Sequence, residues 1–258
     1  MKISVCCPSL QRPHVVTLRY LPFCRVYVDP AEIAEYRRVN PDAAIIECAP
    51  GIQGNLCRVR NHILDREFAA GADVVVIVDD DMTGVFYYEG CKERHLLPGD
   101  RFLAFAEKYS RLALEWGFKM WGLNVNQDPQ CYRECCPFST LSYLGGPFQA
   151  FLRGGECRYD ERLPLKEDYD MTLQQLNRYR GVLRVNKFHY VVKQSEQCGG
   201  CATYRNMDAE RDQLLLLRRK WGRQIVRCDT MDRSHKSTVE RVGTFDYNPI
   251  IRAPIRGV

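Results

Sequence analysis

The stretch that decides the fold is ADVVVIVDDDM, residues 72–82, in which an apolar strand runs directly into three carboxylates. Five consecutive β-branched residues, 74–78, are typical of a strand that is buried on both faces, as in a parallel sheet. Open α/β sheets bind their ligands at the carboxyl ends of the strands. The sequence therefore predicts that the acids 79–81 lie at a functional edge of the sheet.

These acids are candidates for holding a divalent cation. Side chains alternate along a strand, so we expect Asp79 and Asp81 on the same side of the chain. Two carboxylates on one side suit Mg²⁺ or Mn²⁺, hard cations that also accept phosphate oxygens as ligands. The alternative is an acidic loop that caps the next element, although such a loop does not usually follow so apolar a strand.

The composition is that of a chain that can build one large α/β domain. Its 258 residues are 45% hydrophobic and carry a net charge of +5, which is compatible with an anionic partner. No apolar run is long enough to span a bilayer, and the chain starts as a strand without a signal-peptide pattern. We therefore predict no membrane segment, and we interpret most of the 13 cysteines as reduced thiols of an intracellular protein.

Three predicted strands, residues 2–7, 25–28 and 44–48, come before the acids. Arg12 lies in the polar turn after the first strand, where it either pairs with a phosphate or is simply solvated. Asp29 ends the second strand, and it either caps the helix that follows Pro30 or contacts a ribose or base.

A glycine loop, GIQGN at residues 51–55, leads into a predicted helix. Arg58, Arg60 and Asn61 stand near the amino end of this helix, where backbone N–H groups and the helix dipole favour anions. A glycine loop, this helix start and an acid-tipped strand together are more specific than any one of them alone.

A glycine-led strand and a second acidic motif follow further along the chain. Gly145 and Gly146 allow the backbone to approach a ligand closely. Glu167 and Asp168 stand in a loop or in the first turn of a helix. They either complement the helix dipole, or one of them acts as a general base.

Histidine and cysteine side chains offer weaker candidates. His189 lies in a predicted strand, and it is either structural or a ligand. Cys198 and Cys201 form a CxxC motif, which is weak evidence for zinc without a second pair. A complete zinc site would need one or more of Cys131, Cys135 and Cys136.

The C-terminal tail is basic and shows no core of its own. We predict a core of residues 1–205 and an extension, residues 206–258, whose helix and tail pack on that core. The tail arginines that we single out are Arg223, Arg227, Arg252 and Arg256.

The order of these motifs resembles that of the GT-A glycosyltransferases: a nucleotide loop, an Arg-Asn helix, a D-x-D strand, a Gly-Gly strand and an E-D pair that opens a helix. In finer detail the chain resembles the TET-associated glycosyltransferases of phages and bacteria. The similar strings are PSLQRP at 8–13, GN and RVRN within 54–61, DDDM at 79–82, EDYD at 167–170, the late Gly-Gly and Tyr-Arg within 199–205, and APIRGV at 253–258.

The resemblance implies a GT-A, Rossmann-like α/β fold, with a mixed, mostly parallel sheet flanked by helices in a single domain. Because the acids stand at the end of a buried strand, our hypothesis is that Asp81 is the direct ligand of Mn²⁺ or Mg²⁺ and that Asp79 binds ribose or a metal-bound water, with His189 as a candidate further ligand. The resemblance also implies that Asp168 is the base if the reaction inverts, with Glu167 orienting it or contacting the acceptor. The implied nucleotide-sugar-binding residues are Pro8, Ser9, Arg12, Asp29, Asn55, Arg58, Asn61, Asp79, Asp80, Gly145 and Gly146.

That family adds sugars to 5-hydroxymethylpyrimidines in DNA. The implied reaction is transfer from a nucleotide diphosphate sugar, a UDP-sugar, to 5-hydroxymethylcytosine or a related base in DNA, with the four tail arginines on DNA phosphates. The implied location is the cytoplasm, that of the host if a phage encodes the protein. Three alternatives stay open: the same chemistry on a protein, glycan or small molecule, a nucleotidyltransferase, and a nucleic-acid-binding module without catalysis.

Overall fold

The computed structural model describes residues 1–90, 93–193, 199–228 and 247–255. The strands are β1 (Ile3–Pro8), β2 (Arg25–Val28), β3 (Ala44–Glu47), β4 (Val74–Val78), β5 (Met82–Glu89), β6 (Glu93–Leu96), β7 (Met120–Asn124), β8 (Phe138–Ser139), β9 (Phe148–Leu152), β10 (Leu183–Val192), β11 (Val226–Arg227) and β12 (Ile250–Ile251). The α-helices are α1 (Ile33–Val39), α2 (Leu56–Ala69), α3 (Phe102–Glu115), α4 (Glu167–Tyr179) and α5 (Met207–Trp221). Across these ranges, no helix has the length and apolar character needed to cross a membrane.

One 10-stranded sheet organises the molecule, in the order β3-β2-β1-β4-β9-β7-β10-β5-β6, with β8 paired to β10. Strands β1 to β4, β6, β7 and β10 point in one direction, while β5, β8 and β9 run against them. Helices cover both faces. This confirms the predicted fold class, a mixed and mostly parallel α/β sheet in a single domain.

The predicted central strand, β4, separates two apolar layers. Val74, Val76 and Val78 pack into the layer that α1 and α3 cover, while Val75 and Ile77 pack into the layer of α2 and α4. All five side chains are fully buried. Alternate residues of a strand point to opposite faces, so a strand with helices on both sides must be apolar at every position.

The three acids follow β4 in a turn that Thr17 holds in place. The Thr17 hydroxyl donates to the Asp79 carbonyl at 2.6 Å and accepts from the Met82 N–H at 3.0 Å. The Thr17 N–H also donates to the Asp80 carbonyl at 3.1 Å. Because β4 has already ended at Val78, this turn sets the directions of the acidic side chains, and the strand alternation does not.

The C-terminal helix, α5, is fastened to α4 by polar and apolar contacts. The fully buried carboxylate of Asp170 accepts from Lys220 Nζ at 2.9 Å and from Trp221 Nε1 at 2.7 Å. A third apolar cluster joins the two helices to the hairpin of β11 and β12. Its fully buried members are Leu163, Leu173, Leu214, Leu217, Val226 and Cys228.

Candidate active site

A cavity of about 840 Å³ opens at the carboxyl ends of β1 and β4, where α2 and α4 begin. Its volume falls in the range of small-molecule sites. The polar and aromatic side chains around it come from widely separated parts of the chain. The lining includes Pro8, Ser9, Arg12, Asn55, Arg60, Asp79, Asp80, Asp81, Tyr143, Gly146, Lys166, Glu167, Asp168, Tyr169, Cys201, Tyr204, Arg205, Glu210 and Asn248.

The negative charge of Asp80 is balanced by hydrogen bonds and an ion pair within the protein. Its carboxylate is 7% exposed, and it accepts from Ser9 Oγ at 2.6 Å and from Arg12 Nη1 at 3.2 Å. Burial raises the pKa of Asp80, and the two donors counteract part of that effect. Arg12 also donates to the Gly199 carbonyl at 3.1 Å, so its guanidinium links the loop after β1 to the segment ahead of α5.

Arg60 joins the two acidic motifs. Its guanidinium is 1% exposed and donates to Asp79 Oδ1 at 2.9 Å, to Glu167 Oε1 at 3.3 Å and to the Gly146 carbonyl at 3.1 Å. A planar guanidinium holds several donors in a fixed fork, so it fixes both carboxylates relative to each other. The sequence carried a signal for this position, since Arg60 lies four residues after Leu56 on the apolar face of α2.

The other predicted residues of the α2 start hold a neighbouring segment. Asn55 lines the cavity and caps α2 by accepting from the Arg58 N–H at 3.2 Å. Arg58 forms an ion pair with Glu161 at 3.1 Å, and Asn61 exchanges two hydrogen bonds with the backbone of Tyr159, at 2.9 and 2.8 Å. Arg58 and Asn61 do not line the cavity, so the structure does not place them with the other predicted nucleotide-sugar residues.

Asp81 is the acid whose charge is least compensated. Burial and the charges of Asp79 and Asp80 raise its pKa to about 7. No described residue forms an ion pair with its carboxylate, whereas Asp79 has Arg60 and Asp80 has Arg12. An edge of carboxylate oxygens with excess negative charge fits a hard divalent cation. Within the described ranges, no three His, Cys, Asp or Glu side chains are grouped to hold a metal.

Glu167 is held at the first position of α4, deep in the cavity wall. Burial and the neighbouring Asp168 carboxylate raise its pKa to about 8, and they outweigh the opposing effect of Arg60. This raised pKa favours the protonated carboxyl group at pH values where an ordinary glutamate is ionised. A neutral acid here can donate a hydrogen bond that a carboxylate cannot.

Asp168 follows in the first turn of α4, and its carboxylate is oriented by three donors. Oδ2 accepts from the Tyr143 hydroxyl and from the Gly146 N–H, the latter at 3.1 Å. Oδ1 accepts from the Tyr169 N–H at 2.8 Å. The helix dipole also favours negative charge at this end of α4.

Three further charged residues complete the wall beside α4, and of these Glu210 was not indicated by the sequence. Lys166 is 1% exposed and forms an ion pair with Glu210, which comes from α5. Arg205 adds a second cation to the same carboxylate, with its Nε 3.0 Å from Glu210 Oε1. The spacing in sequence gives no signal for this contact, because α5 reaches α4 only through the tertiary fold.

The Gly-Gly pair leaves no room for a side chain at Gly145 and little room at Gly146. A Cβ on Gly145 would lie 2.1 Å from the Tyr190 hydroxyl, and one on Gly146 would lie 3.2 Å from Glu167 Oε1. Gly146 lines the cavity and Gly145 stands behind it. The close approach predicted for these glycines is made to the protein's own side chains.

His189 and Asp29 lie outside the cavity lining. The His189 ring is stacked between Phe86 and Tyr88, with centroids 6.0 and 5.2 Å away, and burial lowers its pKa to about 4. The Asp29 carboxylate accepts from the Ala31 N–H at 2.9 Å, which is the capping alternative of the two predicted for it. Neither side chain is brought together with the three acids.

Some of the tail arginines and cysteines singled out in the sequence lie within the described residues, and others do not. Arg223, Arg227 and Arg252 lie on or beside the β11–β12 hairpin and outside the cavity lining, although Asn248 ahead of β12 reaches the cavity. Arg256 and Cys198 lie outside the described residues. Cys201 lines the cavity and accepts from the Tyr204 hydroxyl at 3.0 Å.

Comparison with known proteins identifies the fold class of the chain but does not assign it to a family. No family model matches the chain, and no curated protein matches it. Among solved structures, the likeness is to the GT-A-like nucleotide-sugar enzymes, and it is a likeness of fold.

The particular structures are distant. A mannosyltransferase from Pyrobaculum calidifontis in complex with GDP-Man and Mn2+ is 14% identical, with a TM-score of 0.50 over 84% of this chain and 64% of that one. TarS from S. aureus is 13% identical, with a TM-score of 0.43 over 84% of this chain and 66% of that one. A mannose-1-phosphate geranyltransferase from Thermus thermophilus is 11% identical, with a TM-score of 0.43 over 74% of this chain and 76% of that one. The chain thus spans just under two thirds of the first two structures.

Proposed function

We propose that the protein is a metal-dependent glycosyltransferase that moves a sugar from a nucleotide diphosphate sugar to an acceptor hydroxyl. The observation that carries the proposal is the meeting of two acidic groups in one cavity. The turn with Asp79 and Asp81 and the helix start with Glu167 and Asp168 both line it. Arg60 joins the two groups. One group suits a cation with its diphosphate, and the other suits a base for the acceptor.

In such a reaction, different residues of the cavity would have different roles. Asp81, supported by Asp79, would hold the cation, which takes its other ligands from phosphate oxygens and water. When bound, the cation supplies positive charge against the negative charge that develops on the leaving diphosphate. Asp168 takes the proton of the acceptor hydroxyl, a poor nucleophile that benefits from a positioned base. His189, stacked outside the cavity, has no part in this scheme.

The finer proposal is a UDP-sugar as donor and a hydroxymethylpyrimidine in DNA as acceptor. The resemblance of the short motifs to the TET-associated glycosyltransferases supports it. The arginines of the β11–β12 hairpin support it as well, because Asn248 on the same segment reaches the cavity. In duplex DNA the hydroxymethyl group lies in the major groove, so the protein either reaches it there or flips the base out at a cost of a few kcal/mol.

The test is a transfer assay with and without Mn²⁺. The donors are several UDP-sugars and GDP-sugars, and the acceptors are hydroxymethylated DNA, unmodified DNA, the free hydroxymethyl nucleoside and a protein panel. We expect Mn²⁺-dependent transfer from a UDP-sugar to hydroxymethylated DNA alone. Transfer only to protein or to the nucleoside contradicts the DNA acceptor and keeps the glycosyltransferase. Turnover of nucleoside triphosphates with a sugar phosphate makes the protein a nucleotidyltransferase.

One pair of variants checks the site within that assay. Asp168→Asn keeps the shape of the side chain and removes its ability to take a proton, so turnover should fall about 10²- to 10⁴-fold. Asp212→Asn, an exposed acid of α5, is the matched control and should leave turnover unchanged. Near-normal turnover by Asp168→Asn argues for another base or for a retaining mechanism.

A further inference from the structure

The oxygens of the Asp168 carboxylate are not equivalent. Oδ2 receives two hydrogen bonds, from the Tyr143 hydroxyl and the Gly146 N–H, whereas Oδ1 receives one, from the Tyr169 N–H at 2.8 Å. A carboxylate offers about four lone-pair sites, two on each oxygen. Among the described residues, the donors fill both sites of Oδ2 and leave one site of Oδ1 open.

Tyr143 is itself held on both sides. Its ring is stacked on that of Tyr169, with centroids 4.3 Å apart and an interplanar angle of 14°. The next residue, Leu144, is tied to α4 because its N–H donates to Thr172 Oγ1 at 3.3 Å. Both tyrosines are half-buried and line the cavity beside Asp168. The position of the hydroxyl is therefore fixed by α4, the helix that carries Asp168.

The hydroxyl of Tyr143 acts as the donor in this pair. Burial and the negative charge of Asp168 raise its pKa well above the ordinary value for tyrosine, so it keeps its proton. A protonated phenol beside a carboxylate donates to it, and a hydrogen bond to a charged group is stronger than one between neutral groups.

We propose that Tyr143 is a positioning residue that anchors Oδ2 of Asp168, so that Oδ1 faces the acceptor and takes its proton. This inference rests on the proposed function, in which Asp168 is the base. It names the oxygen that acts and the side chain that selects it. The Gly146 N–H supports Tyr143 from the backbone, at 3.1 Å from Oδ2.

The transfer step forms one bond and breaks one bond at the sugar. The acceptor oxygen bonds to the anomeric carbon of the donor sugar while its proton passes to Oδ1. The bond from that carbon to the diphosphate oxygen breaks, and its electron pair leaves with the nucleotide diphosphate. Asp168 then returns the proton to solvent. Tyr143 keeps its own proton throughout and contacts neither substrate in this step.

The test is a double-mutant cycle of Tyr143→Phe with Asp168→Asn, measured as kcat and KM with the acceptor that the transfer assay identifies. Phenylalanine keeps the stack with Tyr169 and removes only the hydroxyl. We expect Tyr143→Phe to lower kcat about 10-fold, the loss of one hydrogen bond to a charged group, with the donor KM within about 2-fold. In the Asp168→Asn background the same change should cost nothing, because residues that act through one another are not additive.

A matched control is Tyr20→Phe, which removes a buried hydroxyl that donates to the Leu97 carbonyl at 2.9 Å, away from the cavity. It should leave kcat unchanged. Equal losses from Tyr143→Phe in both backgrounds, or a raised donor KM with unchanged kcat, would overturn the positioning role. An inactive Asp168→Asn beside a fully active Tyr143→Phe refutes this inference alone. A fully active Asp168→Asn refutes the base as well.

Discussion

Asp79, Asp80 and Asp81 are three consecutive aspartates whose surroundings differ. Asp80 is buried against Arg12 and Ser9, Asp79 is 32% exposed and paired with Arg60, and Asp81 has no ion-pair partner among the described residues. The pKa of Asp81 is raised to about 7 because its charge is buried beside two others. A bound cation would favour the ionised form of Asp81, so the interaction free energy of a cation with this carboxylate should be large.

Removing the charge of Asp81 should therefore abolish metal binding without lowering the thermal stability of the protein. We expect Asp81→Asn to unfold at the same or a higher temperature than wild type at pH 8 without metal, because it removes an uncompensated buried charge. Mn²⁺ with UDP should raise the melting temperature of wild type by mass action and leave that of Asp81→Asn unchanged. Differential scanning fluorimetry measures both. Asp65→Asn, an exposed acid of α2, is the control, and a wild-type-like Mn²⁺ response of Asp81→Asn would contradict the assignment.

Glu167 should make the stability of the protein depend on pH. Its pKa is about 8 when folded, above the ordinary value near 4.5, so the folded state binds its proton more tightly than the unfolded state does. This contribution to stability is complete below about pH 4.5 and is lost as the pH rises towards 8.

The variant Glu167→Gln removes that dependence. We expect its free energy of unfolding, relative to wild type, to increase by about 1 kcal/mol or more between pH 5 and pH 8, because a neutral amide loses nothing over this window. Urea unfolding at several pH values measures the difference. Glu115→Gln, at the exposed end of α3, should show none. A difference that stays constant with pH would show that Glu167 is already ionised at pH 5.

The sequence predicts which residues belong to the site more easily than it predicts which partners they contact. The acids were found because an apolar strand ended in them, and the Glu167–Asp168 pair was found because it opened a helix. The donor to Asp168 could not be found in the same way, since Tyr143 comes from another part of the chain and is brought near by packing. Arg58 and Arg60 were predicted together, and only the apolar face of α2 tells them apart.

Among the secondary-structure elements, α4 depends most on its neighbours. It begins at the two catalytic candidates and is held from behind by α5, through Asp170, Lys220 and Trp221. Asp170 also accepts from Gln174 Nε2 at 2.7 Å. Two of these three donors come from α5, so the buried carboxylate links the two helices directionally.

Asp170→Ala should weaken the whole fold. We expect the free energy of unfolding to fall by about 3 kcal/mol, because the change leaves Trp221 Nε1 without its acceptor and Lys220 with Asp160 as its remaining partner. Chemical denaturation measures the loss. Asp208→Ala, 83% exposed at the start of α5, should change the free energy of unfolding by less than about 0.5 kcal/mol. A loss as small for Asp170→Ala would mean that α5 docks through its apolar contacts alone.

The elements themselves followed from local patterns, and their arrangement did not. The strand β4 was predicted from its apolar run, α2 from the start signals after the glycine loop, and α5 as the helix of the C-terminal extension. The place of β9 between β4 and β7, antiparallel to both, has no local signature. Strand order depends on pairing between residues far apart in the chain, which a periodic pattern does not encode.

At the scale of the whole molecule, the net charge of +5 is not spread evenly. Exposed Arg223 and Arg252 with half-buried Arg227 bring positive charge to the β11–β12 hairpin, and Asn248 connects this segment to the cavity. A basic surface beside the cavity is suited to a ligand that is a polyanion. This is the charge distribution that the DNA proposal needs.

Salt dependence tests that proposal independently of catalysis. We expect the affinity for hydroxymethylated duplex DNA to fall with salt, and Arg223→Ala and Arg252→Ala each to reduce the slope of log K against log[salt] by about 1. Fluorescence anisotropy at several salt concentrations measures the slopes. Arg111→Ala, an exposed arginine of α3, should leave the slope unchanged. Unchanged slopes for both hairpin variants would remove this surface from the DNA contact.

The ion pair of Lys166 with Glu210 has a consequence for the protein while it is being made. Lys166 is buried directly before Glu167, and its counterion arrives only with α5, more than forty residues later in the chain. During synthesis, at roughly 5–20 residues per second, the sheet up to β4 is released well before this charge can be neutralised. The turn of Asp79, Asp80 and Asp81 is thus synthesised well before the helix that completes the wall beside Glu167. We expect the start of α4 to assume its final geometry only after α5 has left the exit tunnel, so that a nascent chain stalled before residue 207 is folded in part and lacks the proposed transferase activity.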